Sequence, residues 1–523
     1  MDISALLTPR PAPTILFEAA ARHGDAPRFF RPEPVSWNEY AKLVRALGCC
    51  LIDLGVQPGE SVAIYAHNSV EWAAAGLAIQ SIGAVLVPIY PASTQAQCQY
   101  VLTHSDTRFY FEHEGLRHVG GERIATWTQA AERGQEHAAE FDTRLANLDL
   151  DEIGLMLYTS GTTGQPKGVP LTHRNVAENS VDWLRCNEVF LHEDAVDLLW
   201  LPMSHIFGFG ELCLGNALGF QSHLLCPSEV LAAMPLLAPT VFMSVPAYWE
   251  KLASQARMAS DPAQELRLLT GGRLQFCLSG GAGLGREVKE LFLGIGCLLI
   301  EGYGLTECAP TLTLNRPDDF RLDSVGKALP SVELRIAADS EIQAKGPNIF
   351  AGYYKNPEAT AEAFTEDGWF HTGDLGSLDD DGFLKIIGRK KEILVTANGK
   401  NIPPTNIEMQ FQDDPFMDHV VVYGDGKKYL VAAIWPNRLN IETSLGSDAS
   451  AEAIYKLLGA RVHEVNETLA RFETIKKFAI MDTPLSVESE LLTASLKIRR
   501  KKIYEHHRTT FENLYMTSSE QRT

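Results

Sequence analysis

Helix-period and strand-period runs alternate along most of this chain, and that rhythm narrows its folding options most. Trp37–Leu54 has a helical pattern and leads through the turn Gln57-Pro58-Gly59-Glu60 into the strand-like run Ser61–Tyr65. Glu71–Ile82 is helical again, and Val85–Ile89 reads as a buried strand. Similar apolar runs stand at Leu198–Leu201, Val241–Val245, Leu274–Leu278 and Cys297–Ile300, several of them followed by glycine-rich or polar turns. This alternation implies an α/β fold, with a large N-terminal domain of mainly parallel sheets flanked by helices. Ligands in such folds sit at the carboxyl ends of strands. No internal repeat is present.

From about Asp374 the texture changes. Asp379-Asp380-Asp381-Gly382 marks a turn between short strands, and Gly424-Asp425-Gly426 separates His419–Tyr423 from Tyr429–Trp435 as a hairpin. A helix pattern at Ala451–Phe472 and a strand near Phe478–Met481 complete an α+β unit. A small, separate C-terminal domain is therefore expected from near Arg389, with a frayed tail after Tyr515.

The chain has 523 residues, and at about 150 residues per unit that suggests three or four units. A net charge of −20 opposes nonspecific nucleic-acid binding. The nine scattered cysteines lack Cys-x-x-Cys spacing, the pattern of reduced thiols in a cytoplasmic protein. Met1-Asp2-Ile3-Ser4 does not begin a signal peptide. The apolar region Trp72–Tyr90 is broken by Gln80 and Ser81 and ends in a strand pattern, so no transmembrane helix is expected.

The chemistry begins at Tyr158-Thr159-Ser160-Gly161-Thr162-Thr163-Gly164-Gln165-Pro166-Lys167-Gly168-Val169. Glycines let backbone N–H groups approach phosphate oxygens, hydroxyls donate further bonds, and the lysine adds a mobile positive charge. A Walker A loop ends in Gly-Lys-Ser/Thr, whereas this one reads Pro166-Lys167-Gly168. It is a polyphosphate loop outside the P-loop class. Five more segments join it: Leu201-Pro202-Met203-Ser204-His205, Ser279-Gly280-Gly281-Ala282-Gly283, Glu301-Gly302-Tyr303-Gly304-Leu305-Thr306-Glu307, Thr372-Gly373-Asp374 and Gly388-Arg389-Lys390-Lys391-Glu392.

Taken in order, these segments resemble the core motifs of the adenylate-forming superfamily, which contains acyl- and aryl-CoA synthetases, nonribosomal peptide adenylation domains and beetle luciferases. The resemblance runs roughly from Ser36 to Lys502. It is strongest to long-chain fatty acyl-CoA synthetases at Pro239–Pro246, at Gly388–Ile402 with its Ala397-Asn398-Gly399-Lys400-Asn401, and at Leu491–Lys497. It implies three parts: an adenylating domain over 1–388, a hinge at 389–391, and a mobile domain over 392–523.

The implied reaction has two halves. A medium- to long-chain carboxylate attacks the α-phosphate of ATP and releases pyrophosphate, and the thiol of coenzyme A then displaces AMP. The resemblance assigns Thr159, Ser160, Gly161, Thr162, Thr163, Gly164 and Lys167 to the phosphates. Glu307, with Thr162 as a second candidate, would bind Mg²⁺, a hard cation that takes oxygen ligands. Tyr303 would stack on adenine. Gly280, Gly281, Glu301 and Gly302 would shape the base pocket from their backbone, with Gly304 and Thr306 completing the ATP set. Asp374 would accept from the ribose hydroxyls, and Arg389 would reach ribose or phosphate. His205 would lie near the acyl carboxylate and the α-phosphate, with Phe207 and Phe209 in the acyl tunnel. Lys497 would bridge the carboxylate and α-phosphate; it follows Leu496 where many members carry glycine, a departure shared with long-chain synthetases. Lys391 would be the hinge residue. The basic run Lys497, Arg499, Arg500, Lys501 and Lys502 is either a contact for CoA phosphates or a solvated helix face.

Other readings share these motifs. An acyl-AMP ligase would pass the acyl group to the phosphopantetheine of a carrier protein, and a β-lactone synthetase would use the same scaffold. A silent adenylate-binding regulator is opposed by the presence of Lys167, Glu307, Asp374, Arg389 and Lys497 together. Peripheral membrane contact is compatible with all of them.

Overall fold

The computed structural model describes residues 3–31, 33–120, 123–159, 165–188, 195–412, 414–486, 489–492 and 498–516. Two large sheets dominate. The first orders its strands as Arg123–Thr126, Gly115–His118, Phe109–Glu112, Ser61–Tyr65, Val85–Pro88, Ile153–Thr159 and Lys167–Thr172. Its four inner neighbours, from Phe109–Glu112 to Ile153–Thr159, run parallel, and its edges antiparallel. The second sheet has nine strands, and its centre is parallel from Leu299–Gly304 through Phe276–Ser279, Val241–Ser244, Val196–Leu199 and Gln221–Leu224 to Pro27–Arg31. The α/β reading of the large domain holds.

Local sequence explains the main helices. Ser36 and Glu39 form a reciprocal cap: Glu39 N–H donates to Ser36 Oγ at 3.2 Å and Ser36 N–H to Glu39 Oε2 at 2.8 Å. This starts the helix Trp37–Asp53. Val70–Ser81 is alanine-rich and apolar on every face, and all of its residues but Glu71 are buried. Such a helix is stable only inside a core. The stretch Trp72–Tyr90 is thus a buried helix followed by a strand, and no helix among the described residues is long and apolar enough to cross a membrane.

The mainly parallel expectation fails in one region. Glu333–Ile336, Glu341–Lys345, Phe370–Leu378 and Leu384–Arg389 form a four-stranded, wholly antiparallel sheet. The texture therefore changes near Glu333, not Asp374. One continuous hydrophobic core extends from Ile3 to Phe370 and joins both large sheets. Separate cores begin at Leu394, around a three-stranded sheet of Met417–Tyr423, Leu430–Pro436 and Ile475–Ile480. The expected hairpin is there, with Val420 opposite Ile434. All nine cysteines are free.

Candidate active site

The strand Ile153–Thr159 turns back on Lys167–Thr172, with Thr159 opposite Lys167 and Tyr158 opposite Gly168. The two flanks of the expected phosphate loop thus pair as antiparallel strands, and the element after it is a strand rather than a helix. Ser160, Gly161, Thr162, Thr163 and Gly164 lie outside the described residues. The flanks of the loop are held firmly. Tyr100 Oη donates to Pro166 O at 3.1 Å, Tyr158 Oη lies 2.8 Å from His104 Nδ1, and Tyr354 N–H donates to Gly168 O at 2.9 Å.

Lys167 leaves this hairpin with its Nζ 4.5 Å from the centre of the Tyr353 ring, within cation–π range. Tyr353 Oη donates to Glu307 Oε1 at 2.9 Å. Glu307 sits in the short 3₁₀ turn Thr306–Cys308, and its carbonyl accepts Phe350 N–H at 2.9 Å. The expected phosphate lysine and the expected metal carboxylate, 140 positions apart in sequence, therefore meet on one tyrosine. Burial and the Glu307 carboxylate raise the Tyr353 phenol far above its ordinary range, so it stays a donor. Sequence reasoning missed Tyr353; the only signal was its place in the aromatic run Gly352-Tyr353-Tyr354-Lys355.

A second cluster gathers the expected nucleoside residues. Tyr303 Oη donates to Asp374 Oδ2 at 2.7 Å, and Arg389 Nε is 3.2 Å from Asp374 Oδ1. Asp374 and Arg389 face one another directly across the antiparallel pair Phe370–Leu378 and Leu384–Arg389. Asp374 is buried while Arg389 is half exposed, so the pair presents a cation at the rim and an acceptor beneath it. The neighbouring carboxylate raises the Arg389 guanidinium.

The turn after Phe276–Ser279 and the strand Leu299–Gly304 lie side by side, with Ser279 opposite Glu301. The Glu301 carbonyl accepts Asn315 N–H at 3.1 Å, and Gly302 pairs with Leu314. Gly304 has no room for a side chain, since a Cβ there would lie 1.8 Å from Pro310 O. Gly280 abuts Phe207, whose Cε1 would be 3.1 Å from a Cβ at that position. Thr306 opens the 3₁₀ turn that carries Glu307.

His205 caps the helix Ile206–Leu218: its Nδ1 accepts Phe207 N–H at 3.2 Å. The preceding strand stops at Leu199, so the histidine stands on a connecting turn beyond the expected strand end. The Tyr90 ring approaches it edge-on at 6.3 Å. Phe207 is part-buried at the glycine turn, whereas Phe209 is wholly buried. With Cys213 and Ala217 on the same helix face, Phe209 lines a narrow, mostly apolar internal cavity closed by Leu155, Val181 and Leu184.

Lys391 lies exposed in the single 3₁₀ turn Lys390–Glu392, directly after the strand Leu384–Arg389. Ala397–Lys400 forms the turn between two-residue strands, and Gly399 adopts φ +70°, a conformation that favours glycine. Lys497 lies outside the described residues; Leu492 and Ile498 on either side of it form a β-bridge. The basic run needs correction at one member. Arg500 is buried, 3.1 Å from Glu392 Oε2, with Nη2 donating to Glu408 Oε2 at 2.6 Å. It is an internal tie of the small domain and offers no face to CoA.

Comparison with known proteins agrees in extent with this geometry. The model of the AMP-binding enzyme family matches residues 16–354, and that of the AMP-binding enzyme C-terminal domain matches residues 391–519. The chain is 33% identical to long-chain-fatty-acid--CoA ligase FadD15 of Mycobacterium bovis, covering 92% of each protein. It is 26% identical to long-chain-fatty-acid--CoA ligase 1 of Homo sapiens, covering 93% of this chain and 83% of that one. In fold it is similar to ATP-bound MatB from Rhodopseudomonas palustris, with a TM-score of 0.76, 24% identity, and coverage of 96% of this chain and 100% of that one. The chain belongs to the AMP-binding enzyme family, and within it is similar to the fatty acyl-CoA synthetases.

Proposed function

We propose that this protein is an AMP-forming ligase that joins a medium- to long-chain fatty acid to coenzyme A. The observation that carries the reading is the meeting of Lys167 and Glu307 on Tyr353 at the foot of the phosphate loop. In the first half-reaction a carboxylate oxygen bonds to the α-phosphorus of ATP as the bond to the bridging oxygen of pyrophosphate breaks. In the second, the CoA sulfur bonds to the acyl carbon as AMP leaves, and the thiol proton passes to solvent.

Positioning and charge neutralisation do most of this work. The loop Thr159–Gly164 and Lys167 hold the β- and γ-phosphates and the departing pyrophosphate. Glu307 supplies a nearly buried carboxylate beside that lysine, the donor type a hard divalent cation takes, with Thr162 as the second candidate. When bound, Mg²⁺ would neutralise phosphate charge. Tyr303 and the walls Gly280–Gly281 and Glu301–Gly304 receive adenine, with Thr306 beyond them. Asp374 receives the ribose hydroxyls, and Arg389 reaches over them. His205 and Lys497 act at the acyl carboxylate and α-phosphate. Phe207, part-buried against Gly280, and the buried Phe209 are the candidate lining of the acyl tunnel.

The small domain, from residue 392, pivots at residues 389–391 with Lys391 as hinge, and presents Lys497 for adenylation and Ala397–Lys400 for thioester formation. Nine free cysteines support a reducing, cytoplasmic setting.

The test is fatty-acid-dependent exchange of labelled pyrophosphate into ATP, followed by CoA-dependent release of AMP and acyl-CoA across acids of increasing length. No exchange with any acid overturns the reading. An adenylate that persists with CoA and clears with a phosphopantetheinyl carrier protein would reassign the acceptor.

A further inference from the structure

The helix Arg286–Gly294 buries Val288, Lys289 and Phe292. A lysine among those apolar neighbours needs a charge partner close at hand. Lys289 Nζ lies 2.7 Å from Glu301 Oε2, and the two side chains are 4% and 5% exposed. Burial pushes the Glu301 carboxyl up, and Lys289 opposes that push. The other oxygen, Glu301 Oε1, accepts Leu284 N–H at 3.0 Å. One carboxylate thereby ties together a helix, the turn that begins at Gly280, and the strand that continues into Gly302-Tyr303. The same turn meets the small domain, where Gln412 Nε2 donates to Gly283 O at 3.1 Å.

A buried ion pair is a costly way to gain stability, because well-packed apolar groups of similar volume do as well or better. Its advantage here is directional. Two charge-assisted bonds at fixed angles set the spacing between the turn Gly280–Leu284 and Gly302–Tyr303. Those are the two walls that receive adenine under the proposed function, on which this inference rests. We infer that Lys289 is a positioning residue for the purine: it holds Glu301, and through Glu301 it fixes the width of the adenine slot. Lys289 itself touches no substrate.

The test compares Lys289→Met, Glu301→Gln and the double variant, with ATP affinity read by calorimetric titration and KM for ATP and for the acid read separately. Lys289→Met should weaken ATP binding by roughly tenfold or more, with KM for the acid within about twofold of wild type, because a displaced wall affects only the nucleotide. The double variant should regain stability, since no buried charge is left alone, but should stay as weak for ATP as Lys289→Met, because the charge-assisted bonds that set the slot are gone. Unchanged ATP affinity in folded Lys289→Met, equal losses for ATP and acid, or recovery of ATP affinity in the double variant would overturn the inference. If Lys289→Met does not fold, Glu301→Gln, which keeps the Leu284 bond, must show the nucleotide-selective loss, and its absence there overturns the inference. Wild-type protein that binds no ATP would overturn the ligase reading and this inference together. Wild-type protein that binds ATP, with variants that bind it equally well, overturns this inference alone.

Discussion

Replacing Tyr353 with phenylalanine removes one hydroxyl and leaves the ring under Lys167 in place. Glu307 then loses the donor that reaches it at 2.9 Å. The expected cost is about 1 kcal/mol of stability in chemical denaturation, the usual worth of one such bond, with ATP binding weakened only slightly. Tyr353→Leu removes the ring as well, so it should weaken ATP binding distinctly more than Tyr353→Phe does. Equal effects of the two would show that the lysine does not depend on the ring. A second residue-scale prediction concerns Arg28, whose guanidinium is wholly buried and donates to Asn216 Oδ1 at 2.9 Å and Phe220 O at 3.1 Å. Asp197 and Glu211 are buried beside it. Burial, opposed by Arg28, pushes the Asp197 carboxyl up to about 6, and burial with Asp197 nearby pushes Glu211 well above its ordinary value. A carboxyl raised in the folded state adds stability below its unfolded value, and that stability is lost as pH rises through the folded one. The Tm of wild type relative to Asp197→Asn/Glu211→Gln should therefore fall as pH rises from 3.8 to about 6, and continue falling above that. A gap independent of pH would show that folding shifts neither carboxyl.

At the scale of elements, the hairpin of Leu299–Gly304 and Thr311–Leu314 depends on Gly304. A methyl group there would overlap Pro310 O, so Gly304→Ala should cost about 3 kcal/mol in thermal or chemical unfolding. An unchanged Tm would mean that the turn yields. The elements were legible in sequence where hydrophobic period and caps agreed. Trp37–Asp53 and Val70–Ser81 fall within a residue of expectation, and Val85–Pro88 and Val241–Ser244 lack only the last residue expected. Leu274–Leu278 slipped to Phe276–Ser279 and Leu198–Leu201 to Val196–Leu199, because apolar residues continue past strand ends into the core. In the antiparallel sheet from Glu333 to Arg389, the turn Asp379–Gly382 between strands was expected and is there, but the first two strands, Glu-Leu-Arg-Ile and Glu-Ile-Gln-Ala-Lys, were missed because they mix charges with apolar residues. The residues named from motifs do converge: Tyr303 with Asp374 and Arg389, and Lys167 with Glu307. Their supports did not announce themselves. Tyr353 and Lys289 belong to ordinary-looking segments and gain meaning only from tertiary proximity.

Among the described residues, the large N-terminal and the smaller C-terminal domains share no hydrophobic cluster, and the two halves of the proposed reaction divide along the same line. The large domain holds both charge clusters described above, whereas Lys497 belongs to the small one. In the structure the small domain rests on the turn Gly280–Leu284 through Gln412, which donates to Gly283 O and to Glu250 on the large domain. A single docked arrangement cannot bring both Lys497 and Ala397–Lys400 to one acyl carbon if they lie on different faces, so the two chemical steps should separate under mutation. Lys497→Ala is the cleanest way to see it. Adenylation, measured as acid-dependent pyrophosphate exchange, should fall by about 10²–10³, the loss typical of removing one transition-state charge donor. Conversion of supplied acyl-adenylate to acyl-CoA should stay within about threefold of wild type, because that step gains nothing from a group made for the attacking carboxylate. Equal loss in both half-reactions would place Lys497 at a site common to both and remove the reason for the small domain to turn.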